Sequence, residues 1–149
     1  MEIERKYLID KENLISDIES YPHNIIEQGY MCTEPVVRIR KSDDEYYMTY
    51  KSKGLMAREE YNLPLTKEGY YHLLPKCDGN IISKIRYLIP LDNYTIELDI
   101  FSGKFEGLIL AEVEFDSLEE AENFIPPKWF GDDVTFSTKY HNSTMSKAE

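Results

Sequence analysis

Apolar and polar residues alternate with a period of two through most of this chain, the mark of half-buried β-strands. At the N-terminus Glu2, Glu4 and Lys6 share one face, while Ile3 and Tyr7 share the other. The same alternation predicts strands over residues 25–32, 36–41, 46–51, 58–63, 82–89, 94–101 and 108–116. Helical signals are few. Asp10 is placed to cap a helix over residues 10–20 with Leu14, Ile15 and Ile18 on its apolar side, ended by Pro22. Thr66 heads a second helix carrying Tyr70, Leu73 and Leu74. Ser117-Leu118-Glu119-Glu120 has the form of a capping box and predicts a helix to about Phe124, stopped by Pro126-Pro127. Gly79-Asn80 reads as a break, and a short helix is expected after Ser137.

Antiparallel strands with tight turns and a few short helices give an α+β, mainly β fold. No repeat or low-complexity linker divides the chain, so residues 1–149 read as one domain. Two arrangements satisfy the alternation. An open sheet packs its apolar face on the helices and leaves the charged face in water. A closed antiparallel β-barrel of about eight strands turns the charged face into a polar tunnel and leaves the helices outside.

The signs of the charges bear on that choice. On the non-apolar face the bases are Lys6, Arg38, Arg40, Lys51, Arg58, Lys84 and Arg86. The acids there are Glu2, Glu4, Glu60, Glu97, Asp99, Glu112 and Glu114. They sort by strand: Arg38/Arg40 and Lys84/Arg86 are basic pairs, and Glu2/Glu4, Glu97/Asp99 and Glu112/Glu114 are acidic ones. Like charges two apart on a strand lie about 7 Å from each other and repel. The arrangement is costly unless something binds between them. Basic pairs suit an anion with several oxygens, and acidic pairs suit divalent cations with oxygen ligands. A polyphosphate with Mg²⁺ or Mn²⁺ satisfies both. Histidine occurs only at positions 23, 72 and 141, none within these pairs, which argues against a zinc site.

Bulk properties narrow the partners. The net charge of −11 argues against sequence-independent nucleic-acid binding. No apolar run approaches a membrane span, and the N-terminus lacks the basic-then-apolar pattern of a secretory signal. Cys32 and Cys77 are then expected to be reduced thiols in a cytoplasmic protein.

Glu2-Ile3-Glu4-Arg5-Lys6 resembles the ExExK signature that opens the CYTH superfamily, the triphosphate tunnel metalloenzymes. Gln28-Gly29-Tyr30, Val37-Arg38-Ile39-Arg40, Thr49-Tyr50-Lys51, Arg58-Glu59-Glu60-Tyr61, Ser83-Lys84-Ile85-Arg86-Tyr87, Glu97-Leu98-Asp99 and Ala111-Glu112-Val113-Glu114 resemble successive barrel strands of its short bacterial members. Trp129-Phe130-Gly131 and Lys139-Tyr140-His141-Asn142 resemble its tail, although Phe136-Ser137 stands where Gly-Asp is frequent and Lys139 where arginine is usual.

The resemblance implies a barrel that holds a triphosphate lengthwise and hydrolyses it with one or two Mg²⁺ or Mn²⁺ ions. Lys6, Arg38, Arg40, Lys51, Arg58, Lys84, Arg86 and Lys139 would bind substrate. Glu2, Glu4, Glu112 and Glu114 would hold metal. Glu2, Glu4, Glu60, Glu97 and Asp99 would support catalysis by holding a second ion or orienting water. Adenylate cyclase and thiamine triphosphatase, other activities in the superfamily, remain alternatives, as does a non-catalytic polyphosphate-binding or nucleotide-binding module.

Overall fold

The computed structural model describes all residues, Met1–Glu149. Its strands are β1 (Glu2–Leu8), β2 (His23–Thr33), β3 (Val36–Ser42), β4 (Glu45–Lys51), β5 (Ala57–Arg58), β6 (Glu60–Pro64), β7 (Asp78–Leu91), β8 (Tyr94–Phe101) and β9 (Ile109–Glu114). They form one antiparallel sheet in the order β5-β1-β9-β8-β7-β2-β3-β4-β6. The two terminal strands of that order are neighbours in sequence. Ala57-Arg58 pair with β1, Glu59 intervenes, and Glu60–Pro64 pair with β4. A single stretch, residues 57–64, thus changes partners at Glu59 and joins the two edges. Counted as one staple it makes eight staves of a barrel. Closure leaves no long free edge and turns one sheet face inward.

The outward apolar residues of β1, β7, β8 and β9 pack under short outer segments. Ile3, Ile96, Leu98, Ala111, Val113 and Phe115 meet Ala121 of helix α2 (Leu118–Asn123), with Phe124, Trp129 and Phe130 against them. Ser117 caps α2 as expected, accepting from the Glu120 amide at 3.1 Å. Thr66 likewise caps helix α1 (Lys67–Leu73), accepting from the Gly69 amide at 3.0 Å.

Two expectations change. Residues 10–20 hold only two single turns of 3₁₀ helix, Lys11–Asn13 and Ile18–Ser20, and Asp10 makes no capping bond. Ser16 and Asp17 favour local backbone bonds over a helix interior. Leu14, Ile15 and Ile18 still pack on the core. Gly79-Asn80 is no break, since both lie within β7. Gly79 has φ +70°, and a Cβ there would sit 2.1 Å from the Ser146 carbonyl oxygen. Glycine at this position lets the C-terminal helix α3 (Asn142–Met145) and the residues after it seat on β7, where the Asn80 amide donates to Ser146 O at 2.6 Å.

At that end the barrel acquires an apolar floor. Tyr30, Val36, Ile82, Phe101 and Leu110 cluster with Val134 and with Met145 of α3. Each of the five strand residues among them lies two positions from a charged or amide-bearing inward residue of its own strand, so floor and site share the same face. No helix is long and apolar enough to cross a membrane.

Candidate functional site

Above the floor lies a cavity of about 480 Å³. Every site residue expected from the sequence lines it except Asp99 and Lys139: Glu2, Glu4, Lys6, Arg38, Arg40, Lys51, Arg58, Glu60, Lys84, Arg86, Glu97, Glu112 and Glu114 converge on one space. The strand register brings them together. Lys6 stands opposite Glu112, Arg86 opposite Asp99, and Lys51 opposite Glu60. In these three pairs the sign alternates from one strand to the next, whereas Glu4 faces Glu114 and Glu97 faces Glu112 with like signs.

That alternation neutralises part of the site. Lys6 Nζ lies 3.3 Å from Glu112, and Lys51 Nζ lies 3.0 Å from Glu2 and 3.5 Å from Glu60. Arg58 Nε lies 3.3 Å from Glu2. Asp99 is fully buried beneath the cavity wall and holds Lys84 at 2.7 Å and Arg86 at 2.7 and 2.9 Å. Expected among the carboxylates that support catalysis, it lies outside the cavity lining. Both oxygens are occupied by the two cations, so Asp99 positions Lys84 and Arg86 and touches nothing in the cavity. Lys139, expected to bind substrate, also lies outside the lining. It is exposed, lies over the Tyr140 ring and does not border the cavity, because the chain turns there so that Tyr140 O, His141 and Asn142 face inward instead.

What the pairing leaves over defines the chemistry. Arg38 and Arg40 are buried yet make no ion pair with any carboxylate. Arg38 donates to Thr49 Oγ1 at 3.1 Å, and its buried Nε has no partner. Arg40 donates to Gln28 Oε1 at 2.6 Å and to Tyr47 Oη at 3.4 Å. Glu4 and Glu114 are the acidic counterpart. They are register partners across β1 and β9, with no hydrogen-bond donor or cation on either carboxylate. Counting round the barrel, β9 and β3 are four staves apart by either route. One wall thus presents unneutralised guanidinium groups, and the opposite wall unneutralised carboxylates.

The titration behaviour follows from this division. Burial, then repulsion from Glu112 and Glu2, pushes the Glu4 carboxyl up to about 8. Burial also raises Glu114, with Glu97 and Glu60 adding to it. For Glu60 burial acts upward but is outweighed by Glu2, Lys51, Asn62 and Arg38, which bring it down to about 2. Burial pushes Asp99 up, but Arg86 and Lys84 outweigh it and hold it below the ordinary carboxylate value. Asp99 carries one charge for two cations, and Arg86 takes two of its hydrogen bonds. Lys84 is the under-neutralised partner: burial, with Arg86 and Arg40 nearby, brings its ammonium down to about 7. His141 borders the cavity and is kept neutral, at about 4, by burial and by Lys6 and Arg58.

The donor set fits a hard divalent cation. Glu4 and Glu114 face each other with no partner, and burial together with repulsion from Glu112 and Glu2 holds the Glu4 carboxyl at about 8. Carboxylate oxygens without nitrogen or sulfur neighbours are the ligands Mg²⁺ or Mn²⁺ take. As the side chains stand, no three carboxylates converge on one point, because Glu2 and Glu112 are turned toward lysines and arginines.

Several residues of the site carry no formal charge and give no signal in an alternation of charges. Gln28, Thr49, Asn62, Asn142 and Tyr47 hold or flank the cations. Asn24 and Ser42 line the cavity further along. Gln28 and Asn142 do fall within the two stretches, Gln28-Gly29-Tyr30 and Lys139-Tyr140-His141-Asn142, that carry the resemblance.

The CYTH domain family model matches residues 1–149. An inorganic triphosphatase of Nitrosomonas europaea is 37% identical, aligning over 97% of this chain and 96% of its own length. An inorganic triphosphatase of Acetivibrio thermocellus is 33% identical, over 98% and 93% respectively. A crystal structure of an inorganic triphosphatase superposes with a TM-score of 0.73 at 35% identity, covering 100% of this chain and 96% of that one.

Proposed function

The chain belongs to the CYTH domain family, and from that premise we propose that it hydrolyses the terminal phosphoryl group of a triphosphate, with inorganic tripolyphosphate as the preferred substrate. The observation that carries this reading is the buried Arg38–Arg40 pair without carboxylate partners, facing an unpartnered carboxylate wall. Two relatives named inorganic triphosphatase support the choice of substrate. So does the cavity: few of the side chains around it are apolar, and its rings are Tyr30, in the floor cluster, Tyr47, engaged with Arg40, and the imidazole of His141.

In the reaction a phosphoanhydride bond breaks, the water oxygen joins the terminal phosphorus, and pyrophosphate leaves. The protein contributes position and charge, with no nucleophilic side chain required. Arg38, Arg40 and Arg86 neutralise the phosphate oxygens and the developing charge on the leaving group. Lys6, Lys51 and Lys84 add point charges along the chain. Lys84, near 7 without substrate, gains its proton as phosphate arrives, because an anion beside an ammonium favours the charged form. Glu4, Glu112 and Glu114 would hold Mg²⁺ or Mn²⁺, with Glu2 and Glu60 placed for a second ion. The cation supplies neutralisation of the phosphate chain and activation of the attacking water. Two free thiols support a cytoplasmic setting.

The test is phosphate release from tripolyphosphate, ATP, GTP and thiamine triphosphate, with Mg²⁺ and Mn²⁺ in parallel and cyclic AMP assayed in the ATP arm. Metal-dependent turnover fastest on tripolyphosphate is expected. Cyclic AMP as the main product from ATP, or no turnover of any triphosphate, would overturn the reading.

A further inference from the structure

Arg40 and Lys84 reach the cavity from different strands, β3 and β7, with β2 between them. Gln28 lies on β2, directly opposite Arg40 in register and beside Ile82 of β7. It is fully buried and does not border the cavity. Its Oε1 accepts from Arg40 Nε at 2.6 Å, and its Nε2 donates to Asn142 Oδ1 at 2.8 Å. The same Asn142 oxygen accepts from Lys84 Nζ at 2.8 Å. A continuous chain results, Arg40–Gln28–Asn142–Lys84, and Lys84 continues it to Asp99 and Arg86.

The direction of every bond in this chain is set from its ends. Guanidinium and ammonium groups only donate, so each amide must turn its oxygen toward a cation. Gln28 then has its NH₂ left for Asn142, whose oxygen serves both donors. Only a neutral side chain with an acceptor at one branch and a donor at the other completes this link. A carboxylate at position 28 would accept from Arg40 equally well. It would also neutralise Arg40 and face the Asn142 oxygen with a second acceptor. An apolar residue of the same size would release Arg40 Nε into a buried site with no partner.

Resting on the triphosphate reading above, we propose that Gln28, acting with Asn142, is a positioning residue for the phosphate grip. It aims Arg40 and Lys84 into the cavity without itself cancelling their charge. Asn142 opens α3, so the seating of the C-terminal segment is tied to the aim of both cations. That segment is held by Asn80, whose side chain donates to Ala148 O at 2.7 Å, and by Lys6, whose Nζ donates to Tyr140 O at 3.1 Å.

Gln28→Glu separates positioning from mere packing. It keeps size, shape and the bond from Arg40, so a packing role predicts an unchanged KM. The positioning role predicts a KM for tripolyphosphate raised at least about tenfold with kcat changed far less. Calorimetric affinity for tripolyphosphate in chelator, without divalent metal, should weaken by a similar factor, giving a reading independent of turnover. Gln28→Leu should weaken both further, or fail to fold. If folded Gln28→Glu binds tripolyphosphate within twofold of the parent, with the parent's KM, the proposal is overturned. If both variants fail to fold, it is likewise overturned in favour of a structural role. A parent protein that binds no tripolyphosphate would instead remove the reading of the site itself.

Discussion

Replacing Glu4 by glutamine should stabilise this protein at alkaline pH and remove its activity. In the folded chain Glu4 holds its proton up to about 8, against an ordinary value of 4.5. The unfolded chain gives that proton up first. Between those values the folded state binds more protons, so stability falls as pH rises from 4.5 to 8 and stays low above. At about 1.4 kcal/mol per pH unit the ceiling of this loss is roughly 5 kcal/mol. The carboxyl borders a wet cavity, and water reaching it trims the figure to about 2–3 kcal/mol. Glutamine cannot ionise, so the variant escapes the loss. Urea unfolding in chelator at pH 5, 7 and 9 is the assay. The two proteins should match near pH 4.5, and at pH 9 the variant's midpoint should lie about 1 M higher. Phosphate release with Mg²⁺ should be nearly abolished in the same variant. Parallel pH profiles for parent and variant would show that Glu4 does not belong to a crowded carboxylate cluster. Full activity would show that it does not serve the cation.

Asp99→Asn leaves Lys84 and Arg86 buried without their carboxylate, costing about 3–5 kcal/mol. The melting temperature should fall by roughly 6–20 °C and recover in part with saturating tripolyphosphate, while the Mg²⁺ concentration for half-maximal rate stays unchanged. A shifted metal requirement would return Asp99 to the metal site. Lys139→Ala should keep kcat/KM for tripolyphosphate within about twofold, since the side chain points away from the cavity. A tenfold loss would place Lys139 on the substrate path.

Much of the barrel was legible because its inward face is charged and its outward face apolar, which makes period-two alternation sharp. The alternation gives β8 to the residue, and β1, β3 and β4 to within one or two. Face, however, does not report depth. Glu97 and Asp99 share a face on β8, yet Glu97 reaches the cavity and Asp99 lies sealed under two cations, because Arg86 in the next strand folds over it. Nor does sequence report cross-strand partners. Like charges stacked along a strand read as a demand for ligand. Register answers that demand for Glu2, Arg86, Asp99 and Glu112 by setting an opposite charge across from each, and leaves it standing for Arg38, Arg40, Glu4 and Glu114. Residues 10–20 misled for a different reason: the apolar spacing of Leu14, Ile15 and Ile18 suits a helix, but it serves equally for an irregular segment draped on the core. Gly79 misled because one glycine at positive φ looks like a turn in sequence, whereas here it makes room for the C-terminal segment.

The pairing of β1 with β9 constrains the life of the chain as it leaves the ribosome. Glu4 finds its register partner only at position 114, and Leu8 only at 110. No fragment that stops short of those residues can seal the cylinder, however well its hairpins form. Until then the nascent protein carries an open sheet with two bare edges and an uncovered apolar side, the condition in which strands of separate molecules pair with each other. The last stave is therefore as much a safeguard against clumping as a wall of the site.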